Sequence, residues 1–152
     1  MKLNKFDFIA NIASIVILLA ATTFVLVNWG NLPEQIPSHY NFKGEPDSYG
    51  GKGTLIFMMI VNWLVLLTMI IIGNFPQLWN TGVERTPANE VVINRIVRDM
   101  LSVMEIGMAM LFGYLLIVPA VGANMGIWFM PLFLALIFGN LIVMTVRLIR
   151  NR

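Results

Sequence analysis

The sequence predicts an all-α membrane protein: a four-transmembrane-helix bundle with an ordered extracellular cap between its first two helices. Three observations lead there. Hydrophobic residues make up 58 % of the chain and charged residues 12 %, against about half and about a quarter in soluble domains. Charge is absent from Phe8 to Pro33, from Gly53 to Val83 and from Ile106 to Val146. One polar insert, Leu32 to Gly53, separates the first two of these runs. The whole chain, residues 1–152, reads as a single integral membrane domain.

The first run has the length of a membrane crossing. It is longer than the apolar part of a secretory signal, about 7 to 15 residues, so a retained helix is predicted over about 7–29, with Trp29 at the interface. The second helix is predicted over about 54–73, where Asn74, Pro76 and Trp79 mark the exit. Thr86 as N-cap and Pro87 in the first turn open a third helix over about 88–118. Ile93, Ile96, Val97, Met100 and Met104 recur there at helical spacing. The uncharged run after Glu105 would measure roughly 60 Å as one helix, twice the hydrocarbon thickness. Pro119, Gly122, Asn124, Gly126 and Pro131 supply the break, and the fourth helix follows over about 126–148.

Basic residues orient the four crossings. Lys2, Lys5, Arg85, Arg95, Arg98, Arg147, Arg150 and Arg152 fall at the termini and the second connection, and only Lys43 and Lys52 fall in the insert. The positive-inside rule therefore puts both termini in the cytoplasm and the cap, residues 32–53, outside the cell. Membrane lipids are the expected partners. The net charge of +2 flanks apolar runs, so no nucleic-acid partner is implied. Cysteine is absent, which excludes disulfides and thiolate chemistry.

In the cap, Leu32-Pro33 and Ile36-Pro37 hold their first residues extended, and Lys43-Gly44, Glu45-Pro46-Asp47 and Tyr49-Gly50-Gly51 supply turns. Ser38 to Phe42 reads as a strand turned back at Lys43-Gly44. His39, Asn41, Gly44, Asp47 and Lys52 are the candidate residues for binding a ligand or partner. The structural alternative is that His39 and Asn41 merely bond loop backbone. One histidine among scattered carboxylates lacks the spacing of a zinc or calcium motif, so neither a metal nor another cofactor is expected.

These residues carry a family resemblance. LPEQIPSHYNFKGEPDSYGGK is similar to the bacterial membrane domain of unknown function 1648, the N-terminal domain of SdpI-like immunity and signalling proteins. Leu32, Pro33, Ile36, Pro37, His39, Asn41, Gly44, Asp47, Gly50 and Lys52 match its pattern in order. The resemblance extends over about residues 1–118 and is that of a short stand-alone member, without the further C-terminal membrane segment of the SdpI-like proteins. It implies a role in immunity or envelope signalling and brings no catalytic residues.

A second candidate lies within the helices. Glu105 is ionisable inside an apolar helix, so it is expected to face protein or water. Asn94, Arg98, Ser102, Glu105, Ala109 and Gly113 share one stripe at steps of three or four. Counting in from the helix ends puts Asn11, Asn140 and Thr145 at similar depth. The expected intramembrane polar cluster is thus Asn11, Arg98, Ser102, Glu105 and Asn140. It serves either as packing glue between helices or as a proton or ion site.

No HExxH, phosphate loop or nucleophile-base pair occurs, so an enzyme is not expected. The preferred expectation is a non-enzymatic protein that recognises an extracellular peptide, lipid or membrane-protein partner through the cap. The alternative is a small oligomeric transporter or channel subunit using Glu105. Small residues at Ala109/Gly113 and Ala135/Gly139 allow a homo-oligomer.

Overall fold

The computed structural model describes residues 3–151. Lys2 and Arg152, counted above among the basic flanks, lie outside the described residues. The fold is mostly helical, with α1 (Lys5–Val27), a short hairpin of β1 (Gln35–Tyr40) and β2 (Pro46–Gly51), then α2 (Thr54–Ile72), α3 (Glu90–Ala120) and α4 (Phe129–Arg150). All four helices are long and apolar enough to cross a membrane.

Helix boundaries follow local chemistry. α1 begins two residues before the expected start because Asn4 and Asp7 form a capping box: the Asp7 N–H donates to Asn4 Oδ1 at 2.8 Å, and the Asn4 N–H donates to Asp7 Oδ2 at 2.9 Å. Thr86 does not cap α3. Its N–H instead donates to Asn89 Oδ1 at 2.8 Å, and the helix starts after Asn89. Pro119 stands in the last turn of α3, which runs one residue further to Ala120. α4 begins at Phe129 because Gly126 has φ +81° and cannot lie in a right-handed helix.

α3 is the central element. It packs most extensively on α1 and also on α2 and α4. The main core joins Leu18, Ala21 and Val25 of α1, Leu55, Met59 and Leu66 of α2, Leu116 and Ala120 of α3, and Leu32 and Ile36 from the segment between α1 and α2. The Trp63 indole N–H donates to Thr22 Oγ1 at 3.1 Å, tying α2 to α1. α4 contributes nothing to this core. It lies along α3, with Leu148 joining Ile93 and Ile96 in a second small cluster. The bundle is therefore three helices around a common centre with the fourth alongside, because α4 presents large apolar side chains on nearly every face.

The hairpin is antiparallel, and its register slips twice: Pro37 faces Tyr49, His39 faces Ser48 and Tyr40 faces Pro46. Ser38 and then Asp47 are the extra residues. Such bulges twist a ribbon and re-aim side chains, and here they bring His39 and Asp47 together.

Candidate functional site

The cap is held down at both ends. At its base, Ile36 and Leu32 are buried in the main core. Lys52 bridges the strand ends, with Nζ donating to Glu34 Oε1 at 2.8 Å and to the Trp29 carbonyl at 3.4 Å, and lying 5.6 Å from the centroid of a Trp29 ring. At its tip, Asn41 organises the turn. Asn41 Oδ1 accepts from the N–H groups of Lys43 and Glu45 at 2.8 and 3.1 Å, and its amide donates to Glu45 Oε2 at 3.0 Å.

The turn then docks on the connection between α3 and α4. The Gly44 carbonyl accepts from the Met125 N–H at 2.7 Å. Gly44 has φ +77°, and a Cβ there would stand 2.6 Å from the Gly126 nitrogen, so both backbone conformation and space demand glycine. The Tyr40 hydroxyl donates to the Ala123 carbonyl at 3.2 Å. Burial, with Tyr114 and Tyr49 nearby, pushes the Tyr40 phenol up to about 12, so this donor keeps its proton. From below, the Tyr114 hydroxyl donates to the Met125 carbonyl at 2.5 Å.

The docking encloses a cleft of about 270 Å³ between hairpin and connection. His39, Asn41, Gly44 and Asp47 line one side, and Met125, Gly126, Ile127, Phe129 and Met130 supply the other. His39 Nδ1 lies 2.5 Å from Asp47 Oδ1. That bond orients the imidazole and leaves Nε2 and the second carboxylate oxygen free to meet a ligand. Asn41 is spent on the turn, and Lys52 sits at the base of the hairpin on Glu34 and Trp29, outside this cleft. The expected ligand residues thus divide: His39 and Asp47 offer polar atoms, Asn41 and Gly44 build the walls, and Lys52 braces the cap. Phe42, 94 % exposed, stands on the cleft margin.

Residues 16–62 match the family model of a domain of unknown function, DUF1648. The match takes in α1 from Val16, the whole cap, and α2 as far as Asn62. The match is narrower than the resemblance over about residues 1–118, and it includes all five candidate cap residues. No curated protein and no solved structure matches the chain. The wall of the cleft formed by Met125 to Met130 lies outside the DUF1648 segment, so the cleft joins that segment to the second half of the chain.

The polar cluster lies at the opposite end of the helices, where α1 and α3 begin, also outside the DUF1648 segment. Its hub is Asp7, which was not among the expected members. Besides capping α1, the fully buried Asp7 carboxylate pairs with the Arg95 guanidinium and accepts from Ser102 Oγ at 3.1 Å. Arg98, also fully buried, donates to Asn11 Oδ1 at 2.8 Å and to Glu105 Oε1 at 3.3 Å, with Nε 3.7 Å from Asp7. Arg95 continues the network to Asp99, which also meets Arg147 of α4 at 3.1 Å. Asn11, Arg98, Ser102 and Glu105 therefore come together as expected from their stripe and depth.

Asn140 does not join them; its amide donates to the Met100 carbonyl at 3.0 Å, so it fastens α4 to the backbone of α3. Thr145 is exposed. Arg95 was read as a flanking charge, and the one sequence signal for Asp7 was its spacing of three from Asn4, that of a capping pair. Gly73, after the end of α2, packs against the Arg98 guanidinium so closely that a Cβ would overlap it.

Proposed function

We propose that this is a non-enzymatic, multi-pass protein of the bacterial cell membrane, with both termini cytoplasmic. It recognises an extracellular peptide, lipid or membrane partner through its cap, in an immunity or envelope-signalling role of the SdpI-like kind. The observation that carries this reading is the cleft in which His39 and Asp47 present free polar atoms beside the docked hairpin. The DUF1648 match over the cap supports the same region as the working part. The polar cluster, by contrast, is engaged in internal pairing: at full burial Ser102 donates to Asp7, and Arg98 donates to Asn11 and Glu105. That is the pattern of glue between helices.

The transporter or channel reading has one observation in its favour, since Glu105 Oε2 is buried without a hydrogen-bond partner. A single comparison separates the two. Cells producing the chain are challenged with a membrane-active peptide toxin, and the same variants are reconstituted in liposomes for proton flux. Recognition predicts that His39→Ala and Asp47→Ala return cells to the sensitivity of cells lacking the protein, while Glu105→Gln stays protected. Flux in wild type that Glu105→Gln abolishes would establish transport instead. If every variant protects like wild type, the cap reading is abandoned.

Orientation has its own test. An engineered Ser48→Cys on the exposed face of β2 is expected to react with a membrane-impermeant thiol label on intact cells, while cysteines engineered separately at the termini stay unlabelled. The opposite pattern reverses the topology and removes the extracellular site.

A further inference from the structure

We infer that the ligand of the cap is an amphiphile, an aminophospholipid of the phosphatidylethanolamine type, whose head occupies the cap cleft and whose acyl chain lies between α3 and α4. This rests on the proposed recognition role and adds the ligand class to it. The argument starts from a second hollow of about 710 Å³ along the α3–α4 seam, walled by Met110, Leu111 and Tyr114 on one side and Phe129, Leu132 and Ala135 on the other. The two hollows share Met125, Gly126 and Phe129 in their walls, so they adjoin, the one under the cap with polar groups and the one between the helices apolar.

The dimensions suit one leaflet. The walls run from Tyr114 down to Gly107 on α3 and from Phe129 down to Leu136 on α4. Seven residues at about 1.5 Å each make roughly 10 Å of depth, within the roughly 15 Å that half of a 30 Å hydrocarbon core provides. The lower end is closed, because Leu136 packs on Gly107 where a Cβ would stand. A trough of this depth, open at the level of Trp128, takes the upper part of an acyl chain, whose remaining length continues past Leu136 into the bilayer.

The upper part selects the head. Its free polar atoms are the second Asp47 oxygen and His39 Nε2, while Asn41 and the Tyr40 hydroxyl are already engaged. A carboxylate oxygen accepts hydrogen bonds, and the second Asp47 oxygen is free to do so, with the His39 ring beside it. That anionic acceptor fits a donating ammonium and disfavours an anionic head. Phe42 and Ile127 line the cap cleft beside these polar groups.

The experiment is native mass spectrometry of the full chain in detergent with phosphatidylethanolamine, phosphatidylglycerol, diacylglycerol and glycerophosphoethanolamine as separate probes. Wild type is expected to bind phosphatidylethanolamine about tenfold more tightly than phosphatidylglycerol, and to hold neither the head alone nor the chain alone as well. Asp47→Asn should erase the preference for the amine head. Ala135→Trp, at an exposed position on the seam, should weaken both phospholipids alike. Equal binding of the two phospholipids by wild type, or an Ala135→Trp variant that binds as wild type does, overturns the proposal. The toxin challenge keeps the two readings apart. If Asp47→Asn loses protection while Ala135→Trp keeps it, the cap recognises something without a chain, such as a peptide; recognition then stands and the lipid assignment falls.

Discussion

Replacing Asp7 with alanine is expected to lower the unfolding free energy of the detergent-solubilised protein by about 3–5 kcal/mol, the usual cost of removing one partner from a buried ion pair. The reason is that Asp7 serves four groups at once. It holds the Asn4 N–H, the Arg95 guanidinium and the Ser102 hydroxyl, and it is the carboxylate nearest the otherwise unpartnered Nε of Arg98. Arg98 is completely enclosed and cannot turn to solvent. Without Asp7 its charge is balanced within the cluster by Glu105 alone, through a 3.3 Å bond. Asp7→Asn keeps the size and part of the hydrogen bonding and should fall between. The triple change Asp7→Ala, Arg98→Met and Glu105→Gln should recover part of the loss, since neither Arg98 nor its partner Glu105 is then left as a buried charge alone. Detergent-titrated unfolding reads all three; a loss under about 1 kcal/mol for Asp7→Ala would show that the cluster is not structural glue.

The second large effect is expected at Gly44. Alanine there must adopt a left-handed backbone, costing roughly 1–2 kcal/mol, and its methyl would meet the Gly126 backbone 2.6 Å away. The hairpin tip should therefore lift from the α3–α4 connection and break the bond from the Met125 N–H to the Gly44 carbonyl. Hydrogen exchange at Met125 should accelerate, and protection of cells should fall with it. Gly126→Ala is the internal control, because its φ of +81° brings the same strain while its Cβ would meet nothing within 4 Å. The excess of Gly44→Ala over Gly126→Ala isolates the close approach, and equal effects would mean that the cap is not docked as described.

These two residues also mark what the sequence could tell. Four helices were legible because uncharged runs of that length have few other uses, and the Arg98, Ser102, Glu105 stripe was legible because helical spacing is fixed within one helix. Nothing in spacing gives the rotation of one helix against another. Asn140 was therefore placed at the right depth and in the wrong company, bonded to the Met100 carbonyl. Asp7 and Arg95 were hidden for a different reason: charges at the ends of apolar runs read as flanks, although these two meet across α1 and α3. In the cap, the prolines and glycines announced an ordered turn, but the meeting of His39 with Asp47 depends on two register slips that no local pattern encodes. Likewise Met125 to Met130 looked like a turn between helices and became the far wall of the cleft.

The position of α4 beside the core, not within it, has a mechanical consequence. Its first turn carries a wall of the cleft, and Arg147, about 27 Å further along at 1.5 Å per residue, grips Asp99 at the opposite pole. Between these ends α4 is held to α3 by Asn140 on the Met100 carbonyl and by Leu136 against Gly107, so it is fastened along its length. One helix thus joins the wall of the cleft to the ion-pair network of Arg147, Asp99, Arg95 and Asp7, so the two poles of the molecule share a single rigid element.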